Sequence, residues 1–276
     1  MLKNGGGQMK IKGLLLDLGG VLFVGEKPIE GAIETLKELR KQFKIRFVTN
    51  TSRTVPKTVY DKLLKMGFEL KEEEIFSALS ASKSYLEAHG AGAYILATKE
   101  ADVFLEMPDT LPLKYVLVSD AYDRFDYEKL NHAYRLLLDG AQLLGVAKNY
   151  HFKDSDEKLS LDSGVFVEAL EHASGQKALI LGKPSCDFFA SAISSMGLSK
   201  EEVLMVGDDI VSDVEGAQRC GIKAVQVKTG KFRPEDLQKG IEPDYIIEDI
   251  TQLTDLVLDE ISNKKVRSSS LPSSHL

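Results

Sequence analysis

Apolar and polar residues alternate in blocks along this chain. Short apolar runs recur at Ile11–Leu16, Ile45–Thr49, Val203–Val206, Ala224–Val227 and Tyr245–Ile247. Runs of this length, rich in branched side chains, predict buried strands. Between them lie Pro28–Gln42, Pro56–Met66, Ser185–Met196 and Asp213–Cys220, which predict helices. Ile29, Ile33, Leu36, Leu39 and Phe43 fall at helical spacing, and so do Val59, Leu63, Leu64 and Met66. Pro28 and Pro56 suit a first helical turn, and Gly67 and Gly221 suit helix stops. Strands alternating with helices predict an α/β fold with a mostly parallel sheet covered on both faces.

The middle of the chain repeats the pattern on its own. Ala93–Ala97, Tyr115–Ser119 and Leu143–Ala147 read as strands, and Lys99–Leu105, Tyr127–Leu138 and Ser163–Ser174 as helices. Residues 80–178 therefore read as a second α/β domain inserted between two halves of a Rossmann-like core, 1–79 and 179–262. The stretch Asn4–Gln8 is glycine-rich, and 263–276 is rich in Ser and Lys, so composition assigns both ends to disorder.

Composition narrows the function classes. A net charge of −7 over 276 residues argues against a general nucleic-acid surface. No apolar stretch approaches the roughly 20 residues of a membrane span, and the N-terminus lacks a signal-type apolar region. Only Cys186 and Cys220 are present, which predicts no disulfide framework and a reducing, cytoplasmic location. The ending Ser274-His275-Leu276 resembles a peroxisomal address, against the plainer reading of a chance tail sequence.

The candidate chemistry lies at strand ends. Leu14-Leu15-Leu16 runs into Asp17, then Leu18-Gly19-Gly20. Open α/β sheets bind ligands at the carboxyl ends of their strands, so Asp17 is either a nucleophile or a solvated strand-end acid. Val203-Leu204-Met205-Val206-Gly207 runs likewise into Asp208 and Asp209, with Asp213 shortly after. Acids so clustered need a cation, and hard carboxylate oxygens suit Mg²⁺. Asp208 would meet the metal directly, with Asp209 and Asp213 orienting its waters or a lysine. Thr49 and Asn50 end another strand, where a hydroxyl and backbone N–H groups can grip phosphate, or else cap the helix near Pro56, a task Thr54 could also perform. Lys183, in Leu181-Gly182-Lys183-Pro184, could hold a phosphate and the nucleophile, or be a surface lysine before a helix. A Walker loop is excluded because Pro184 follows Lys183, a serine-hydrolase elbow has no Gly-x-Ser-x-Gly, and His89, His132 and His172 are dispersed among helices.

Taken in order, Asp17-Leu18-Gly19-Gly20-Val21, Val48-Thr49-Asn50, Gly182-Lys183-Pro184 and Gly207-Asp208-Asp209 with Asp213 resemble the four motifs of the haloacid dehalogenase superfamily of phosphatases. The segment inserted between the second and third motifs resembles that superfamily's type II cap, of the IIA kind. The resemblance implies that Asp17 becomes an aspartyl-phosphate, and that Asp17, the carbonyl of Gly19 and Asp208 ligate Mg²⁺. It implies that Thr49, Asn50 and Lys183 bind phosphate, and that Asp213 supports the metal. Longer strings, such as Lys228-Thr229-Gly230-Lys231-Phe232, resemble a branch that acts on phosphohistidine, phospholysine and inorganic pyrophosphate.

One departure bears on chemistry. Most such phosphatases carry a second Asp two residues after the nucleophile, which protonates the leaving group and activates water. Here that position is Gly19, where the nearer branch carries Ser. The expectation is a phosphatase biased toward P–N and P–O–P bonds, acting on a phosphorylated small molecule or phospho-amino acid, with a homodimer implied by cap type. The alternative is a weak pseudoenzyme that binds a phosphorylated partner. A metal-free dehalogenase is disfavoured by the Asp208 cluster, and the inserted domain is expected to close over the site, with Asp120-Ala121-Tyr122 and Lys148-Asn149-Tyr150-His151 as candidate substrate loops or ordinary turns.

Overall fold

The computed structural model describes residues 11–153 and 158–258. The chain divides into two compact units, one drawn from the chain up to Arg46 and from Ala192 onward, the other Phe47–Ser191. The boundary falls inside the strand Lys44–Thr49. The second unit is thus wider than the inserted segment 80–178 read from sequence.

In the first unit Gly13–Leu16 lies beside Val203–Gly207, followed outward by Lys223–Val227 and Tyr245–Ile247, with the start of Lys44–Thr49 on its other side. The pairings from Gly13–Leu16 through Tyr245–Ile247 are parallel. Leu14, Leu15 and Leu16 are fully buried, as are Met205 and Val206. A strand covered on both faces has no polar side, which is why its sequence is an unbroken apolar run. The ladder continues one residue past the strand: the Asp17 N–H donates to the Val206 carbonyl at 2.9 Å. Both strands therefore deliver their acids at the same carboxyl edge.

Two helices differ from expectation. Pro28 does not open a helix; it pairs with Phe23 in a two-residue hairpin turned at Gly25, whose φ is +61°. The helix is Ala32–Leu39, preceded by left-handed Gly31, so the apolar spacing from Ile29 overstates its length. The segment expected as a helix from Asp213 to Cys220 begins earlier and wider, as a π-helical stretch Ile210–Glu215 followed by the α-helix Gly216–Arg219. Such wide turns often occur at functional sites.

In the second unit Phe47, Val48 and Thr49 pair in parallel with Ile75, Phe76 and Ser77. The short strand Ile75–Ser77 and the helix Ala78–His89 carry weak sequence signals, the helix being rich in Ser and Ala. Ser77 starts that helix by accepting from the Ser80 N–H at 3.0 Å. A four-stranded parallel sheet has the order Leu179–Ile180, Gln142–Gly145, Leu113–Val118, Gly92–Leu96. Leu117 packs with Leu79, Leu86 and Leu105 on one face; Val116 and Val118 pack with Leu137, Val167 and Leu170 on the other. The flanking helices Lys99–Leu105, Tyr127–Leu138 and Ser163–Ser174 fall at the bounds read from sequence. The strand Leu179–Ile180 carries this sheet past residue 178. Among the described residues no helix is long and apolar enough to cross a membrane.

Neither Cys186 nor Cys220 is a free thiol, which goes against the reducing surroundings read from the cysteine count. The Ser274-His275-Leu276 ending and the tail 263–276 lie outside the described residues.

Candidate active site

The first unit gathers three carboxylates. One oxygen from each of Asp17, Asp208 and Asp213 lies within 4.8 Å of the others, and all three residues are buried. Their relative exposures are 8%, 3% and 0%, which removes the solvated strand-end reading of Asp17. Asp17 follows Gly13–Leu16 and Asp208 follows Val203–Gly207, so adjacent parallel strands place them together. The π-helical turn then swings Asp213 back toward its own strand: an added Cβ at Gly207 would stand 2.3 Å from the Asp213 carboxylate.

Main-chain groups fix the acids. The Lys231 N–H donates to Oδ2 of Asp208 at 2.7 Å, and the Asp209 N–H to Oδ2 of Asp213 at 3.2 Å. Asp209 faces differently. Its Oδ1 accepts from the N–H groups of Val211 and Ser212 at 3.1 and 3.0 Å, and its Oδ2 lies 3.2 Å from the Lys231 ammonium. Gly20 has φ +80°, and a Cβ there would fall 2.0 Å from Asp208 Oδ2. Glycine is required at position 20 on both counts. Gly19, in contrast, is exposed, and a Cβ there meets nothing within 4 Å.

Electrostatics follow from this crowding. Burial, then the charges of Asp17 and Asp213, push the Asp208 carboxyl up to about 8. Burial also opposes charge on Asp209, but Lys231 and the Ser212 and Val211 N–H groups outweigh it and lower the carboxyl below its usual range. Lys231 is held above the usual lysine range: partial desolvation by the surrounding protein works against its charge, and Asp209, Asp213, Asp17 and Asp208 overcome that. Three buried acids around one point, supplying hard oxygen donors, fit a divalent cation such as Mg²⁺.

The second unit holds Thr49, Asn50 and Lys183. The Asn50 amide clasps the main chain of Lys183 at both ends: Nδ2 donates to the Lys183 carbonyl and Oδ1 accepts from its N–H, each at 2.8 Å. An added Cβ at Gly182 would lie 2.7 Å from Asn50 Oδ1, so the Gly-Lys pair is shaped for this clasp. Lys183 is 3% exposed, which rules out a surface lysine; its ammonium lies 3.4 Å from the Val48 carbonyl. Thr49 Oγ1 accepts from the Thr51 N–H at 3.2 Å. Thr54 does not cap the helix Pro56–Lys65, whose N-cap is Val55 without a side-chain bond; its hydroxyl meets that of Thr51 instead.

Both candidate cap loops are tied within their unit. Arg53 pairs with buried Asp120 at 2.8 Å and stands 4.4 Å from the centre of the Tyr122 ring, with Tyr122 at φ +50°. Lys148 pairs with Glu171 at 2.8 Å, and the Tyr150 hydroxyl donates to Glu168 at 2.6 Å. Sequence reasoning missed three site neighbours: Gln226, whose amide donates to the Asp208 carbonyl, Thr229, whose hydroxyl donates to the Gly20 carbonyl, and Lys231. The string around Thr229 to Lys231 was visible, but no spacing rule ties it to Asp208.

Comparison with known proteins agrees across the chain. A family model described as haloacid dehalogenase-like hydrolase matches residues 14–108, and a second described as HAD-hydrolase-like matches 180–253. The chain is 36% identical to the human phospholysine phosphohistidine inorganic pyrophosphate phosphatase, over 90% of this chain and 94% of that one. It is 38% identical to the mouse haloacid dehalogenase-like hydrolase domain-containing protein 2, over 86% and 91%. The crystal structure of a 4-nitrophenylphosphatase from Thermotoga maritima superposes with a TM-score of 0.83 at 23% identity, covering 91% of this chain and 98% of that one.

Proposed function

The chain belongs to the haloacid dehalogenase-like hydrolases and is a phosphatase of that family, and from this premise we propose that it is a Mg²⁺-dependent phosphohydrolase of P–N and P–O–P bonds. The observation that carries the metal reading is the buried trio Asp17, Asp208 and Asp213 within 4.8 Å. A cation held there would supply the positive charge that offsets the acids and the incoming phosphate. Asp17 attacks phosphorus through a carboxylate oxygen, and the P–N or P–O bond breaks with its electron pair leaving on nitrogen or oxygen. Water then attacks the aspartyl-phosphate and regenerates Asp17. On the family motif pattern, Thr49 and Lys183 bind the transferred phosphoryl group, and Asn50 holds Lys183 in place. The carbonyl of Gly19 completes the metal ligands in this reading, and Asp213 supports them.

Gly19 offers no proton to the leaving group. General acid–base help contributes about 10²–10⁴-fold. Phosphoramidates whose nitrogen is already protonated, and pyrophosphate complexed with Mg²⁺, leave without it. The substrate class named for the human relative supports the same choice. The pseudoenzyme alternative finds no support among relatives named as phosphatases or hydrolases. A homodimer, implied by the cap type, completes the proposal.

The test is phosphate release from pyrophosphate and from phosphohistidine, beside a sugar phosphate, with Asp17→Asn as control. The expected result is release that needs Mg²⁺ and Asp17 and prefers the first two substrates. Equal or better turnover of the sugar phosphate would overturn the substrate assignment; turnover unaffected by chelation would overturn the metal.

A further inference from the structure

The strand Lys223–Val227 runs beside Val203–Gly207, with Gln226 opposite Gly207. Gln226 is fully buried, and its neighbours Ala224, Val225 and Val227 are buried and apolar. Its Nε2 donates to the Asp208 carbonyl at 2.9 Å and the Val227 carbonyl at 2.7 Å, and lies 3.5 Å from the Gly207 carbonyl. Its Oε1 has no hydrogen-bond partner among the described residues.

A buried amide oxygen without a partner is costly, and the Nε2 bonds to the Asp208 and Val227 carbonyls offset that cost. The contact that bears on the site is the one with Asp208. Past Gly207 the strand ends, and the ladder no longer gives the Asp208 carbonyl a donor. The Gln226 amide supplies one. Five residues later, the Lys231 N–H holds the Asp208 carboxylate. One stretch of chain thus fixes Asp208 at its main chain and at its side chain.

We infer that Gln226 is a positioning residue for Asp208, anchoring the peptide that aims the carboxylate and so setting the affinity of the site for a divalent cation. The inference rests on the metal reading above. Groups that orient a metal ligand without touching the metal are typically worth about 10–100-fold in metal affinity.

The experiment measures Mn²⁺ binding, as a probe for Mg²⁺, by electron paramagnetic resonance of the free ion. Wild type, Asp208→Asn, Gln226→Leu and Gln226→Met are compared, with Tm recorded for each and KM for pyrophosphate at saturating metal. The expected result is metal binding weakened at least about tenfold in both Gln226 variants, with Tm lowered by only a few degrees as two carbonyls lose their donor, and KM near wild type. A wild-type protein that binds no Mn²⁺ overturns the metal reading and this inference with it. Wild-type binding lost in Asp208→Asn but retained in both Gln226 variants overturns this inference alone. Failure of both Gln226 variants to fold marks the residue as structural and overturns it equally.

Discussion

Lys231 touches the acidic cluster twice, and the two contacts do different work: its N–H donates to Asp208 Oδ2 at 2.7 Å, while its ammonium lies 3.2 Å from Asp209. The first contact belongs to the backbone and survives any substitution except proline. The second is the charge that tempers four nearby carboxylates.

Lys231→Ala therefore separates them. The side chain is 63% exposed, so solvent screens the ion pair and its loss costs at most about 1 kcal/mol. The metal-free variant should melt slightly below wild type, and Mg²⁺ should close the gap by replacing the missing positive charge. Thermal melts with and without Mg²⁺ measure this. A gap of the same size in both conditions would show that the ammonium does not act on the acids.

Gly20 and Gly19 are adjacent and should respond oppositely. Gly20→Ala forces a left-handed conformation, costing about 1–2 kcal/mol, and drives a methyl group to 2.0 Å from Asp208 Oδ2. Activity should be lost together with several degrees of Tm, because the atom displaced belongs to the cluster. A Gly20→Ala protein with full turnover would contradict the placement of Asp208.

Much of this was legible in the sequence, for a physical reason. Gly13–Leu16 and Val203–Gly207 are buried on both faces, so burial wrote them as apolar runs with an acid at each end. Lys99–Leu105, Tyr127–Leu138 and Ser163–Ser174 start on polar N-caps, Thr98, Asp126 and Asp162, and their bounds were readable. Ile75–Ser77 is too short to show a period, and Ala78–His89 is too poor in large apolar residues to show a helical stripe. Pro28 looked like a helix opener because the left-handed turn at Gly25 leaves only one glycine as its mark. Gln226 was invisible, since only tertiary structure brings its amide to the Asp208 carbonyl.

Gly19→Asp tests the missing acid directly. A side chain at position 19 enters open space, and its backbone needs no left-handed conformation, so the variant should fold like wild type. The added carboxyl restores the residue type most of the family carries there. Turnover of an alkyl phosphate monoester should rise by up to about 10²–10⁴-fold, with less gain on phosphoramidates that leave already protonated. Steady-state kinetics on both substrates decide it; no gain on the alkyl phosphate would mean that Gly19 does not limit the leaving group.

Asp162 makes the second unit sensitive to pH. It is buried, caps the helix Ser163–Ser174 by accepting from the Ser163 N–H at 2.6 Å, and receives a hydrogen bond from the Asn149 side chain. Burial raises its carboxyl above the ordinary range, and the charge of Asp120 adds to this, while the Ser163 and Asn149 bonds oppose it. A group whose folded value is raised binds more protons folded than unfolded across that interval. Stability must then fall as pH rises from the ordinary Asp value, about 3.9, through the raised one. Asparagine caps helices as well as aspartate does but does not ionise. Asp162→Asn should match wild type at low pH and exceed it by a growing margin toward neutrality, reaching a few degrees in Tm. Melting curves of the two proteins from pH 4 to 7 measure the margin. A constant difference would mean that Asp162 ionises in the folded protein as freely as in the unfolded chain, and that the Asp120 charge is absorbed entirely by Arg53.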